Sequence, residues 1–488
     1  MKSKRFITTT IPYVNASPHI GFGMELIQAD VTARYWREKL GEEFVYALRG
    51  SDENSLKNVL AAEAAGKNTE TFVEEHAEEF KALQESLGTS FDQFIRTRDK
   101  KHMEGAQKLW KACNPSDIYK KTYSGMYCVG CEMFYTEKEV VNGICPDHQK
   151  PLELVEEENY FFRLSEYQQQ LDELISSDTI RITPESRKNE MLSFIRSGLE
   201  DFSISRSQER ARHWGVPVPG DESQVMYVWF DALSNYITAL GYIDSDEYGG
   251  EDYRKFWEDE DIDRVQVLGK GVVRFHAIYW PAMLLSAKLP LPTELFVHGY
   301  ITVEGQKMSK SIGNVIHPKT LVEEYGTDAV RYFFLREIPS YVDGDYSKDR
   351  MEERYAELAN QLGNLVSRVA AMSEKYFDGV LDAFEKDWGS VDAEIQSQIH
   401  AYNFKAYCDK VFEIVREANE ITDKRAPFKL VNEDEAAAKL VLSELAEMIR
   451  WASRALAPIM PEASAEILRR YSGEKILTGD PLFPRRDQ

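Results

Sequence analysis

Lys307-Met308-Ser309-Lys310-Ser311 sets two ammonium groups three residues apart among hydroxyl donors, with Gly305 before them and Gly313 after. Two Lys point charges with interleaved hydroxyls suit the β- and γ-phosphates of a nucleoside triphosphate, and the glycines leave the loop free to close over them. A second set, Pro18-His19-Ile20-Gly21-Phe22, falls where a first strand hands over to a first helix, so that an imidazole and backbone N–H groups can face an anion at a helix N-terminus. The third is Cys128-x2-Cys131-x13-Cys145-x2-His148, two short-spaced pairs able to converge on a tetrahedral ion. Three thiolates and one imidazole suit Zn²⁺, and four protein ligands leave no open position, which makes the site structural. Cys113 and Cys408 read as ordinary buried residues.

These groups need a frame to hold them. Residues 6–12 read as a buried strand, 13–18 as a polar loop, and 23–40 carry apolar residues at helical spacing. A second strand over 43–49 leads into Gly50-Ser51-Asp52-Glu53-Asn54, giving the βαβ look of a doubly wound nucleotide-binding sheet. The loops around His19 and Asp52 then fall at the carboxyl ends of strands. From about 119 to 205 the alternation is interrupted by the Cys-bearing knuckle and the acidic run 153–159. The α/β pattern resumes with 227–230, continues through 265–269 and a helical run over 274–288, and returns as 295–303 just before the Lys-bearing loop. After about Asp345 the chain is helical: Leu358, Leu362, Leu365, Val366, Val369 and Met372 mark one stripe, and 401–424 and 436–456 continue the pattern.

The expected fold class is therefore α/β: a split Rossmann-like parallel-sheet catalytic domain with a zinc-knuckle insertion and a C-terminal α-helical bundle. Its divisions are 1–118 and 206–305 for the two halves of the sheet, 119–205 for the insertion, 306–349 for the Lys-bearing loop and linking segment, and 350–488 for the helical domain. At 488 residues, 43% of them hydrophobic, the chain fits three or four packed units. No apolar run reaches the ~20 residues that cross a bilayer, and 277–287 is interrupted by Pro281. The basic N-terminus lacks the apolar core of a secretory signal, so the expected location is cytoplasmic, with no membrane partner. A net charge of −23 opposes a polyanionic partner at long range, but a local basic patch within a Debye length of phosphates still dominates binding. Five cysteines in such a length exclude a disulfide scaffold.

The full Lys-Met-Ser-Lys-Ser sequence, together with His19-Ile20-Gly21 at the head of the first helix, resembles the two signatures of class I aminoacyl-tRNA synthetases in order and placement. A longer series narrows the resemblance to the methionine-specific family. It runs through Tyr13-Val14-Asn15, the Cys knuckle, Glu157 to Arg163, Ser203-Ile204-Ser205-Arg206, Trp214 to Gly220, Tyr227 to Ala232, Phe275 to Met283 and Val297 to Tyr300.

What that resemblance implies is a methionine–tRNA ligase activity: ATP and methionine form methionyl-adenylate, and the methionyl group passes to the 3′ end of tRNA(Met). By the same resemblance His19, Lys307, Lys310 and Arg206 would be catalytic. His19, Gly21, Phe22, Lys307, Met308, Ser309, Lys310 and Ser311 would hold ATP with its Mg²⁺. Ile11, Tyr13, Asp52, Trp229, Ala232, Tyr236 and His276 would form the methionine pocket, with Asp52 taking the substrate ammonium. Asn364 and Arg368, four apart on one helix face, with Phe428 as a stacking platform, would read the anticodon. Cys128, Cys131, Cys145 and His148 would hold one Zn²⁺ per chain, and a monomer is expected.

Five positions depart from the family pattern: Phe22 stands for a second His, Asn54 for a His, Gly271 for an acidic residue, Leu233 for Pro and Phe428 for Trp. Two other readings stay open on that account. One is a catalytically impaired RNA-binding or regulatory paralogue; the other is a class I synthetase for another amino acid, such as leucine or cysteine.

Overall fold

The computed structural model describes residues 2–128, 133–135, 140, 142–146, 149–244, 249–309 and 313–485. Two compact units interleave along the chain. Met1–Pro18, Trp36–Gln84 and Ser90–Val297 form the first, and His19–Tyr35, Glu85–Thr89 and His298–Gln488 form the second.

The first unit is built on a six-stranded sheet: β1 (Lys4–Thr8), β2 (Val45–Ser51), β3 (Gln93–Arg96), β4 (Arg181–Thr183), β5 (Ile262–Gly269) and β6 (Glu294–His298), in the order β3-β2-β1-β5-β6-β4. The ladders β1/β2, β1/β5, β2/β3 and β6/β4 are parallel. Phe6 and Ile7 on β1 are both sealed from solvent, as a central strand covered on both faces requires. The chain leaves β1 for β2 on one side and later fills the other side with β5. The carboxyl end of β1 is therefore a topological switch point, where open α/β sheets bind ligands.

The insertion is a long antiparallel ladder between Ile118–Cys128 and Glu153–Phe162. Its acidic run is strand: Val155, Asn159 and Phe161 turn inward while Glu156 and Glu158 face out, and Glu157, on the inward face, is half-buried and accepts from Ser207 Oγ at 2.7 Å. Where the sheet pattern was expected to resume, a strand Asp221–Met226 is followed by a helix, Val228–Leu233. The expected strand over 295–303 is broken into β6 and Ile301–Val303.

In the second unit α1 (Ile20–Leu40, through Tyr35) starts earlier than its apolar spacing suggests. The Phe22 and Gly23 amides both donate to the His19 carbonyl, at 3.0 and 3.1 Å, and so close the first turn. The helical region contains α2 (Thr327–Arg336), α3 (Asn364–Phe377), α4 (Phe404–Arg425), α5 (Glu435–Leu456) and α6 (Pro461–Tyr471). The expected stripe is buried from Leu358 through Val369, with Met372 half-buried at its end. Asn403 and Asp434 cap α4 and α5 by accepting from Ala406 and Ala437 amides.

Arg331 on α2 has no solvent exposure. Its guanidinium donates to Asp30 Oδ2 of α1 at 2.7 Å, to the Leu87 carbonyl at 3.1 Å, and to the Pro458 and Ile459 carbonyls at 2.8 and 2.7 Å. Replacing Arg331 leaves buried Asp30 with Arg34 alone and strips the Leu87, Pro458 and Ile459 carbonyls of this donor, so Arg331→Met should lower the unfolding free energy by about 3–5 kcal/mol in urea titrations. Nearby, burial pushes the Asp328 carboxyl up to about 6, although one oxygen accepts the Ala463 amide at the head of α6. A carboxyl whose folded pKa lies above its unfolded value stabilises fully only below the unfolded value, and that gain is lost as pH rises through about 6. Asp328→Asn should therefore be more stable than the parent by ~2–3 kcal/mol at about pH 8, with the difference closing by about pH 4.

Candidate active site

At the switch point of the first unit, the segment after β1 runs beside the end of β2. Tyr13 bridges to Asp52, and the Asp52 amide donates to the Pro12 carbonyl at 2.8 Å. Asp52 is 2% exposed, and its Oδ1 accepts the Asn54 amide at 3.2 Å. The helix after Met226 brings in Trp229, whose ring meets Tyr13 edge-on at 6.5 Å and His276 edge-on at 6.3 Å. His276 lies in a wide i→i+5 turn, Phe275–Tyr279, and is 1% exposed. Its Nδ1 faces the Val272 carbonyl at 2.9 Å and its Nε2 faces the Tyr236 hydroxyl at 2.7 Å. Ile11 is half-buried and Ala232 buried on the same elements. Aromatic edges, one carboxylate and a hydrogen-bonded imidazole thus converge, a wall suited to a long polarisable apolar side chain carrying an ammonium at one end.

Below Asp52 lies a polar network that local sequence does not announce. Asn54 donates through one nitrogen to Asp231 Oδ2 at 2.7 Å and to the Thr97 carbonyl at 2.9 Å. His102 Nε2 faces Asp231 Oδ1 at 2.7 Å, and its Nδ1 faces Thr238 Oγ1 at 2.8 Å. The His102 and Asp231 side chains are 0% and 1% exposed. Glu53, also buried, takes Arg96 in a two-pronged ion pair. Asn54 and His102 reach Asp231, and His102 reaches Thr238, across more than a hundred residues, and Thr97 and Arg96 join from 43 away, so no local window shows these partners.

In the second unit the head of α1 carries His19. Its Nδ1 accepts the Gly21 amide at 3.1 Å, which leaves Nε2 as the nitrogen bearing the proton. The ring keeps an open edge, but desolvation by the surrounding protein, reinforced by His317, lowers its pKa from the ordinary 6.5. A Cβ at position 21 would stand 2.9 Å from His19 Cε1, so only glycine lets the ring fold back there. The tip of Met308 lies beside the same glycine. Phe22 is buried at 9% exposure.

Lys307 is exposed on a hairpin whose turn residues, Glu304 and Gly305, both have positive φ, 50° and 74°. Asn314 ties the loop limbs together: its Oδ1 accepts the Ser309 amide at 2.9 Å and its Nδ2 donates to the Lys307 carbonyl at 3.2 Å. The Ile20 amide donates to the Ile316 carbonyl at 3.0 Å, fastening the return limb to the first turn of α1. Lys310 and Ser311 lie outside the described residues. The first four amides of α1 are all engaged, Ile20 by Ile316, Gly21 by the His19 ring, and Phe22 and Gly23 by the His19 carbonyl, so the donors suited to an anion on this unit are His19 Nε2–H and the exposed Lys307.

Residues 5–370 match the family described as tRNA synthetases, class I (M). The methionine–tRNA ligase of Caldanaerobacter subterraneus subsp. tengcongensis is 40% identical over 519 aligned positions, covering 100% of this chain and 80% of the relative. That of Brucella suis biovar 1 is 40% identical over 483, covering 96% and 91%. The chain belongs to the methionine–tRNA ligase family. Among solved structures, Mycobacterium tuberculosis methionyl-tRNA synthetase in complex with methionyl-adenylate superposes with a TM-score of 0.90 at 36% identity, covering 99% of this chain and 100% of that one. The apo form of the same enzyme gives 0.83 at 33% identity.

For a methionine–tRNA ligase the remaining candidates are distributed as follows. Arg206 is buried, its guanidinium 4.6 Å over the Tyr227 ring, donating to Ser203 Oγ at 2.9 Å and the Ser205 carbonyl at 2.7 Å. Asn364 heads α3 and is exposed, and Arg368 one turn on pairs with Asp423 of α4 at 3.0 Å. Phe428 is 42% exposed, just past the left-handed Ala426 that ends α4. Cys128 and Cys145 are buried in one small cluster with Tyr135. Cys131 and His148 lie outside the described residues, and no metal-holding cluster occurs among the described ones. Cys113 and Cys408 are buried.

Gly21→Ala should push the His19 ring off its amide donor. Because desolvation is the main cause of the lowered value, with His317 second, a ring pushed toward water should show a His19 pKa in an NMR titration moved up toward 6.5.

Proposed function

We propose that this protein activates methionine with ATP, as methionyl-adenylate, and transfers the methionyl group to the 3′ end of tRNA(Met). The observation that carries the reading is the convergence of Asp52, Tyr13, Trp229, Tyr236 and His276 at the switch point, in a chain with full-length likeness to an enzyme described with methionyl-adenylate bound. In the first step a methionine carboxylate oxygen attacks the α-phosphorus and pyrophosphate leaves. In the second a terminal ribose hydroxyl takes the acyl group and AMP leaves.

Asp52 accepts the substrate ammonium, and Ile11, Tyr13, Trp229, Ala232, Tyr236 and His276 enclose the thioether, whose sulfur gains from ring edges. His19 donates through Nε2, with Gly21, Phe22, Met308, Ser309 and Ser311 lining the nucleotide and Lys307 and Lys310 neutralising charge that builds on the phosphates. Arg206 is the remaining cation of the catalytic set. Mg²⁺ enters as part of the ATP substrate.

Two buried thiols in one cluster support a structural Zn²⁺ on Cys128, Cys131, Cys145 and His148, with no step routed through it. Asn364, Arg368 and the exposed Phe428 ring read the anticodon, Arg368 exchanging Asp423 for a base. Among the described residues no helix is long and apolar enough to cross a membrane; the protein acts in the cytoplasm as a monomer.

Methionine-dependent ATP–pyrophosphate exchange tests this reading. Exchange should be specific for methionine across an amino-acid panel and fall ~100-fold or more in Lys310→Ala or His19→Ala, the cost of one transition-state donor. Exchange with leucine or cysteine in its place, or none from zinc-loaded protein, would sink it. Arg368→Ala should impair tRNA charging and leave exchange nearly intact.

A further inference from the structure

A cavity of about 670 Å³ in the second unit lies apart from every residue assigned above to a substrate or a metal. The start of α2 and the head of α6 form one side. The segment 480–484 forms another, held by Arg470 donating to the Asp480 carbonyl at 2.8 Å and by the Tyr355 hydroxyl donating to the Pro484 carbonyl at 2.9 Å. Five carboxylates stand on the wall: Glu324, Asp328, Glu462, Glu466 and Asp480. Lys348 pairs with Glu324 at 3.3 Å, and Arg469 and Arg470 share Glu466 at 2.6 and 2.7 Å. Asp328, Glu462 and Asp480 have no ion pair among the described residues.

Asp328 is 6% exposed; its Oδ2 accepts the Ala463 amide at 2.6 Å, and its Oδ1 has no hydrogen-bond partner. Capping at the head of α6 accounts for one oxygen only, and a buried carboxylate oxygen without a partner carries a cost that a bound donor removes. Burial outweighs the pull of the Ala463 amide and of Arg331, and the Glu462 carboxylate repels Asp328 further. Arg331 is already taken by Asp30 and three carbonyls, so two carboxylates act on one another with no cation paired to either. Rings complete the wall: Tyr325 and Tyr355 lie 6.0 Å apart, and Phe483 meets Tyr355 edge-on at 6.4 Å. The Tyr325 hydroxyl donates to Glu352 at 2.8 Å and that of Tyr355 to Pro484, so these residues offer an occupant ring carbon.

We propose that this cavity binds a linear aliphatic diamine or triamine, one ammonium between Asp328 and Glu462, the methylenes along the rings and a second ammonium at Asp480. The two parts of such a ligand match the two kinds of wall. Carboxylates take ammonium donors in charge-assisted hydrogen bonds, and aromatic rings accept both methylenes and the fringe of a cation. A divalent metal ion matches less well, because no three carboxylates among the described residues are gathered closely enough to hold one. An anion would meet carboxylates already short of cations, and a purely apolar ligand would leave the Asp328 charge without a partner. None of these residues belongs to the proposed substrate sites, so the assignment is independent of the ligase reading.

The test is isothermal titration calorimetry of the full-length protein with 1,4-diaminobutane and with spermidine, at low ionic strength and about pH 8, where Asp328 is ionised. A single saturable site should appear for each amine. Asp328→Asn and Glu462→Gln should each weaken it roughly tenfold or more, the scale of one lost charge-assisted hydrogen bond. Asparagine at 328 keeps an oxygen for the Ala463 amide, and Glu462 is exposed, so both variants fold. Glu70→Gln removes an exposed carboxylate of the first unit and should leave the affinity at the parental value. In the parent the affinity should fall as pH drops through about 6, where burial sets the Asp328 carboxyl, and Asp328→Asn should lack that step. Equal weakening by Glu70→Gln, or displacement of the amines by an equal concentration of Mg²⁺, would overturn the proposal, since either would reduce the binding to the net charge of −23. So would the absence of binding by both amines. Methionine-dependent exchange measured on the same protein bears on the ligase reading alone.

Discussion

The second unit is assembled from three stretches of chain, and one guanidinium touches all of them. Arg331 comes from the long C-terminal stretch, Asp30 from α1 and Leu87 from the short middle stretch, while Pro458 and Ile459 supply carbonyls at the end of α5. A fully desolvated cation costs several kcal/mol unless acceptors surround it, and here they do. The carbonyls gain as well, since the last carbonyls of a helix have no partner within it. Arg34 donates to the same Asp30 oxygen from outside, so the carboxylate is shared between two guanidinium groups and held in place on α1. The head of α1 and the return limb of the Lys307 hairpin are joined to that anchor through α1. His19 and Gly21 are at the head of α1, and the Lys307 hairpin is fastened to the first turn of α1 through Ile316. Asn314 bridges to Lys307 and Ser309, and Lys307 itself is exposed.

Phe22 bears on how such a site works without the second imidazole of its family signature. Its ring is buried, so this position contributes packing to α1. Among the described residues the groups left facing outward are His19 Nε2 and Lys307, and the proposed reading gives them the charge stabilisation. A lowered His19 pKa fits this division, because a neutral imidazole with Nδ1 satisfied by Gly21 presents one fixed donor and keeps it across the neutral range. The Asn54 departure is absorbed similarly. Asp231 accepts from the Asn54 amide and faces an imidazole, that of His102, which arrives from another helix. A half-satisfied buried carboxylate would loosen the Asp52 loop; with both oxygens engaged it is a rigid floor.

Much of the frame was legible from short-range pattern. The β1–α1–β2 succession and the stripe from Leu358 to Val369 follow from periodicity, which is a local property. The glycine at 21 and the Glu304-Gly305 turn are equally local, set by a close approach and by positive φ. What no window could show are pairings such as Asp231 with His102, Asn54 with Asp231, or Glu25 with His298, the last 2.8 Å apart and buried although 273 positions separate them. Each of these residues is unremarkable in its own segment, and only the tertiary fold gives it a partner. The helix at Val228–Leu233 shows tertiary context deciding what propensity leaves open, since Tyr, Val, Trp and Phe in succession favour strand.

The wide turn at Phe275–Tyr279 has a chemical consequence for selectivity. An i→i+5 turn is a costly interruption of a helix and persists chiefly where it re-aims a side chain. Here it sets His276 with Nδ1 against the Val272 carbonyl, an acceptor, so that nitrogen carries the proton. Nε2 must then accept, and the Tyr236 hydroxyl donates to it. With Nδ1 donating to backbone, Tyr236 and His276 hold each other in one orientation beside Trp229 and Tyr13. A side chain placed between these rings meets aromatic edges. The thioether of the proposed substrate has the polarisability that ring edges favour, and in that reading the rigid Tyr236–His276 pair would turn the preference into discrimination.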